Sequence, residues 1–281
     1  MKISIIIPVL NERDSLPASL AVLNRQRWVH EIIVVDGGST DGTQEWLRRQ
    51  SDIKVIEASR GTGLQLNTGA SLCTGDVLLF LHADTLLPEN AQAGLESALA
   101  DPQVAGGCFF VRFDRERPRS LGMVAAGINL RALLTRSATG DQAIFIRRDV
   151  FQAIGGFAEW PLFEDVEFVK RMKRAGKLAV VRSRVTVSAR RHVRCGVFRT
   201  VMLCYLLRLG FWAGISASAL AGWYRTEDHV LKVRVAYVSD GDPETGPMVT
   251  APVAPAAWAS PTFEPPGGCL VGGDYPRIRR L

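Results

Sequence analysis

Apolar residues in the first third of the chain come in continuous Ile/Val/Leu runs and not in alternation with polar ones. The runs lie near residues 3–8, 31–36 and 76–82, and a shorter apolar stretch broken by Lys54 near 53–57 reads as a further strand. Unbroken runs of this length predict strands covered on both faces. Between them the period changes. Leu16, Leu20 and Leu23 fall at i, i+4 and i+7, with Asp14 or Ser15 as a cap, which predicts a helix over 15–26. Thr40 or Asp41 can cap a second helix near 41–50, and further helices are expected over 63–73 and, after Pro88, over 89–100. The first half therefore reads βαβαβαβ, a doubly wound sheet.

The second half is mixed. Residues 104–114 and 143–147 read as strands, 123–135 as a helix or a flexible loop, and 178–189 as a strand. Residues 164–175 read as a helix ended by Gly176. The stretch 200–223 is strongly apolar but split by Arg208, and neither piece reaches the ~18–20 residues a membrane span needs. A packed helical hairpin and an amphipathic element on a membrane surface both fit it. Beyond Ser239 the composition shifts: eight of the fourteen prolines lie there, with Gly pairs and few large apolar groups. That composition predicts a disordered tail, 239–281, without a catalytic role.

Charge sharpens this picture. Lys and Arg exceed Asp and Glu by six, and between Phe168 and Thr226 there are thirteen Lys/Arg and no acid. A solvated basic face explains this, as does a surface for anions, either a diphosphate or an anionic membrane. Nucleic acid is set aside, because no binding motif accompanies the basic residues. Cys73, Cys108, Cys195, Cys204 and Cys269 are odd in number and show no zinc spacing, so reduced thiols and a cytoplasmic location are expected. The N-terminal apolar run leads straight into Asn11-Glu12-Arg13 without a signal-peptide cleavage region and is read as the first strand.

Carboxylates sit where the runs end. Glu12 follows Pro8-Val9-Leu10-Asn11, Asp36 closes Ile32-Ile33-Val34-Val35, and Asp84 follows Leu81-His82-Ala83. Ligands of open α/β sheets bind outside the carboxyl ends of the strands. Asp36 can accept hydrogen bonds from a base or ribose. Arg60, before a glycine and a helix start, suits a phosphate or a stacked base, and Gln65 and Asn67 could add contacts. Glu164-Asp165 opens a helix after Trp160-Pro161-Leu162-Phe163.

Several stretches carry a resemblance. Ser4-Ile5-Ile6-Ile7-Pro8 with Asn11-Glu12, Val34-Val35-Asp36-Gly37-Gly38-Ser39-Thr40-Asp41-Gly42-Thr43, Arg60-Gly61, Gly75-Asp76 to Asp84, Gly140-Asp141-Gln142, Gly155-Gly156-Phe157 and Glu164-Asp165 occur in one order. Together they resemble a family-2 glycosyltransferase of the GT-A fold, over about residues 1–225. The resemblance implies an α/β, Rossmann-like, mostly parallel sheet with helices on both faces and a C-terminal helical segment. It implies a nucleotide-binding half over 1–100, an acceptor half over 101–190, and a helical segment over 191–225 that membrane association would suit. It further implies inverting transfer from a nucleotide sugar. Asp36 would contact the nucleobase, often uracil, with Pro8 and Glu12 lining the same pocket. Asp84 would hold Mg²⁺ or Mn²⁺ on the diphosphate. Asp165 would be the general base with Glu164 beside it, and Asp141 would face the diphosphate or the acceptor.

One departure stands out. His82-Ala83-Asp84 offers one carboxylate where the family's Asp-x-Asp offers two. His82 and His192 are the other candidate metal or phosphate contacts. Uridine is the first expectation for the donor base and guanosine the second. A lipid-linked acceptor at the inner face of the cell membrane suits the basic, apolar segment. A nucleotidyltransferase would need a glycine-rich basic loop after the first strand, which Pro8-Val9-Leu10-Asn11-Glu12 is not. A non-catalytic nucleotide-sugar module would not need the intact Glu164-Asp165.

Overall fold

The computed structural model describes residues 1–115 and 118–224. The expected tail, 239–281, lies outside the described residues. The sheet opens with β1 (Ile3–Val9), β2 (Val29–Asp36), β3 (Lys54–Glu57) and β4 (Val77–Phe80), joined by α1 (Leu16–Leu23), α2 (Thr43–Leu47) and α3 (Thr62–Ser71). These four strands are parallel, in the order β3-β2-β1-β4.

Side chains alternate across this sheet, and both sides are buried. Ile5, Ile7, Ile32, Val34 and Leu79 enter one core cluster. Ile6, Ile33, Val35, Leu78 and Phe80 enter a second on the opposite face. Each such side chain removed from water contributes roughly 1.5–3 kcal/mol, which is why the strands read as unbroken apolar runs. Pro8 sits in a central strand without cost to the ladder. Pairing of β1 with β4 ends at Ile6, two residues earlier, so the missing N–H of Pro8 faces no partner there. Close packing of α3 rests on Gly69, where a Cβ would come within 2.5 Å of Ile6 Cγ2.

The remaining strands complete an eight-stranded sheet: β5 (Thr85–Leu86), β6 (Val104–Phe113), β7 (Phe145–Arg147) and β8 (Lys177–Val187). Here the sheet becomes mixed, as expected of the second half. β7 runs antiparallel to β4 and β6, β8 runs parallel to β6, and β5 runs antiparallel to β8. The helices are α4 (Ala91–Leu99), α5 (Ser120–Thr135), α6 (Arg148–Ala153), α7 (Glu164–Ala175), α8 (Arg190–Cys195) and α9 (Val197–Trp212). The open reading of 123–135 resolves as helix, in α5. Residues 217–224 are helical and fold back so that Leu220 meets Leu207 of α9 and Phe163 in a small third cluster. The expected hairpin is thus present, but only one side of it is packed.

Candidate active site

The loops at the carboxyl ends of β1 and β2 are bound to each other. Asn11 adopts φ 57°, in the left-handed region that asparagine tolerates better than most residues. Its backbone N–H donates to Ser39 Oγ at 2.8 Å, and its Oδ1 accepts from the Thr40 N–H at 2.8 Å. Asp36 ends β2 and is fully buried. Its Oδ2 accepts from the N–H groups of Gly38 and Ser39 at 3.0 Å and from Gln44 Nε2 at 2.7 Å, while Oδ1 accepts from Ser39 Oγ. Burial opposes its charge, but the bonds from Ser39, Gln44 and Gly38 together outweigh it and hold the carboxyl below the usual range. Asp36 therefore organises its own loop as well as standing at the rim. Gln44, which holds it together with Ser39, carried no signal of its own in the sequence.

Beyond β4 a second acidic group gathers. Asp84 is largely buried, and its pKa is raised, first by burial and further by Asp141 and Glu12, against the opposing charges of His82 and Arg190. His82 Nδ1 lies 4.0 Å from Asp141 Oδ1. Glu12 takes an ion pair from Arg190, Nη2 to Oε2 at 3.3 Å. Arg190, at the start of α8, thus closes the cleft from a point 178 residues away in sequence. His192 stacks edge-on against Phe113, with ring centroids 4.8 Å apart, and burial lowers its pKa. Its Nδ1 has no hydrogen-bond partner.

The third acidic group starts α7. Phe163, a bulky residue, takes φ 65° immediately before it, and Ala143 takes φ 46° at the end of the short 3-10 turn Gly140–Gln142. Such strain is characteristic of sites whose geometry is over-determined by their surroundings. Asp165 Oδ2 accepts from the Gly140 N–H at 2.8 Å and Oδ1 from the Val166 N–H at 2.6 Å. Burial nonetheless raises its pKa, outweighing those two bonds and the charge of Arg208. Glu164 is pushed up to about 7, by burial first and the Asp165 charge second. His82, Gly140, Asp141, Glu164 and Asp165 line one small cavity of about 70 Å³, walled by Phe80 and Phe157. A larger open depression over Gln103, Lys173 and Lys177 contains no acid and lies apart from this constellation.

The other expected residues are placed as follows. Arg60 is exposed beside Gly61, at the start of α3. Pro8 pairs in register with Val35, next to Asp36. The Asn67 amide is committed elsewhere: Nδ2 donates to Phe157 O at 2.9 Å and Oδ1 accepts from the Phe157 N–H at 2.8 Å. This side chain fastens α3 to the loop that leads into α7. Gln65, buried, donates to the carbonyls of Val9 and Val35 and ties the two strand ends together. Sequence reasoning missed Arg131, which is half buried and donates to Gln142 Oε1 at 3.0 Å.

No group of three or more His, Cys, Asp or Glu among the described residues is ready-made for a metal ion. Asp84, with Asp141 and His82 near it, offers the partial oxygen-rich set that suits a hard cation arriving with phosphates and waters of its own.

The family description "Glycosyl transferase family 2" matches residues 4–155. The chain belongs to this family. Among curated relatives it is 28% identical over 193 residues to the glycosyltransferase AglE of Haloferax volcanii, across 62% of each chain. It is 33% identical over 119 residues to the undecaprenyl-phosphate 4-deoxy-4-formamido-L-arabinose transferase of Aeromonas hydrophila, across 37% of this chain and 36% of that one. The matches thus span less than two thirds of either relative's length. Among solved structures, Staphylococcus aureus TarS 1-349 in complex with UDP-GlcNAc superposes with a TM-score of 0.54 at 19% identity, over 67% of this chain and 58% of that one. That likeness shows the fold: a mixed α/β sheet of the GT-A type.

Proposed function

We propose that this family-2 protein transfers a sugar from a nucleoside diphosphate sugar, UDP-linked first and GDP-linked second, to a hydroxyl of a lipid-linked acceptor at the cytoplasmic face of the membrane. The observation that carries the reading is Asp165. It is a part-buried carboxylate with a raised pKa, oriented by two backbone N–H groups, in the same small cavity as His82 and Asp141. A carboxylate whose pKa burial raises, held rigidly beside a cleft, is what activation of a hydroxyl requires.

In this reading the loops after β1 and β2 hold the nucleoside, with Asp36, Pro8 and Glu12 at the rim and Arg60 at the phosphates. Asp84, assisted by Asp141 or His82, would hold a divalent cation, Mg²⁺ or Mn²⁺, which neutralises the diphosphate as it leaves. The acceptor oxygen attacks the anomeric carbon from the face opposite the diphosphate. The new C–O bond forms as the old one breaks, the proton passes to Asp165, and the nucleoside diphosphate departs, so the anomeric configuration inverts. Glu164, whose pKa is pushed up to about 7, limits the negative charge beside Asp165 below that pH. The name of the Aeromonas relative, an undecaprenyl-phosphate transferase, supports a lipid-linked acceptor.

The test is a panel of UDP- and GDP-sugars, followed by product release with and without polyprenol-type acceptors. Asp165→Asn should keep donor affinity and slow transfer by roughly 10²–10⁴-fold. Full transfer by that variant would assign the base elsewhere.

A further inference from the structure

Two neighbouring helices turn apolar faces outward. The sixteen-residue α5 has a single charged residue, Arg131, and that side chain bonds inward to Gln142. Met123, Leu130 and Leu134 of α5 are 77%, 55% and 74% exposed. In contact with α5 lies α9, which exposes Phe198, Met202, Tyr205, Leu206, Leu209 and Trp212. Positions 198, 202, 205, 209 and 212 recur at helical spacing on one face. Only Thr200 and Leu207 of α9 are buried, and Trp223 adds a further exposed ring. Monomeric proteins scatter such residues singly and seldom gather them on adjoining helices.

We infer that the outer face of α5 and α9 docks on the anionic surface of a lipid bilayer. Charge selects the occupant. From Phe168 to Tyr224 the chain carries twelve Lys and Arg and no acid. Arg119 and Arg136 stand at the two ends of α5, and Arg194 is exposed just before α9. Basic side chains around an apolar face match lipid phosphates, and tryptophan and tyrosine suit the boundary between headgroups and acyl chains. A second copy of the chain fits less well, since a two-fold contact would set these arginines against their own images. No helix among the described residues is long and apolar enough to cross a membrane, so the face lies on the bilayer and does not span it. For its meaning the inference rests on the lipid-acceptor reading above, but its test requires no turnover.

The experiment floats the full-length chain with vesicles of phosphatidylcholine alone, or mixed with phosphatidylglycerol, at low and high salt. UDP binding is measured on every variant by calorimetry. Wild type should float with the mixed vesicles, less so as salt screens the surface. Leu206→Ser/Leu209→Ser/Trp212→Ser should lower partitioning tenfold or more. So should the surface-charge variant Arg136→Glu/Arg194→Glu, which leaves the packed residues untouched. Failure to float at low salt, or flotation unchanged in both variants, overturns the inference. A concentration-dependent dimer that the serine variant breaks, without vesicle binding, overturns it in favour of self-association. UDP binding without flotation removes the docking face and leaves the transferase reading standing.

Discussion

Glu164 and Asp165 stand side by side, largely out of water, and neither is neutralised by a direct ion pair among the described residues. The sign of their effect on stability follows from the direction of the shift. Burial first, and the Asp165 charge second, raise Glu164 from 4.5 to about 7. Between those values the folded protein keeps a proton that the unfolded chain has lost, so unfolding becomes easier as pH climbs through that window. Above neutrality the folded state carries the whole penalty, and below 4.5 it carries none. Glu164→Gln should therefore stabilise the protein at pH 8, on the order of 1–3 kcal/mol, and change little at pH 4. Transfer by wild type should rise with pH as Asp165, whose pKa burial raises, gives up its proton, and the titration belongs to the pair and not to either residue alone. Thermal melts of the two proteins across pH 4–8 measure the first effect. Identical melting temperatures at pH 8 would show that Glu164 is not held against its preference.

The short turn between α5 and β7 serves two masters. The Gly140 N–H orients Asp165, while a Cβ on Gly140 would stand 2.5 Å from His82 Nε2. Gly140→Ala must move either the ring or the turn, and displacement of a base by about 1 Å can cost ~10²-fold in rate. The expected outcome is transfer slowed by about tenfold to a hundredfold, with UDP affinity within twofold of wild type, because the Asp36 loop is untouched. Loss of UDP affinity in parallel with rate would mean that the turn supports the donor pocket instead. How far this arrangement could be read from sequence depended on range. β1, β2 and β4 were legible because both faces of the sheet are covered, which leaves unbroken Ile/Val/Leu runs. Acids at their ends followed from strand direction. Direction itself was not legible in the second half, because an apolar run looks the same whether its neighbour is parallel or antiparallel; hence the reversal at β7 and the two-residue β5 went unseen. Asn67 and Arg190 show the same limit. One fastens Phe157 from 90 residues away and the other pairs with Glu12 across 178, and no local pattern records such partners.

Across the whole molecule the charges are sorted. The chain is basic by six, yet Glu12, Asp84, Asp141, Glu164 and Asp165 gather toward one side of the sheet's carboxyl rim, where burial and neighbouring acids raise the pKa values of Asp84, Glu164 and Asp165. A nucleoside diphosphate entering that cleft alone would meet like charge, with Arg190 already spent on Glu12. In the proposed reading a cation would accompany the diphosphate, held at the partial ligand set around Asp84. Binding to the folded state alone raises stability by about 2.7 kcal/mol at a hundredfold excess over Kd, which for a domain of this size corresponds to roughly 5–10 °C in Tm. UDP with Mn²⁺ or Mg²⁺ should produce a shift of that order in a thermal melt. EDTA should remove most of it, and Asp84→Asn should reproduce the EDTA result whether or not metal is supplied. A full shift with UDP in EDTA would sink the metal assignment and leave the arginines to neutralise the diphosphate. If neither UDP nor GDP moved the melt under any condition, the donor site itself would be wrong.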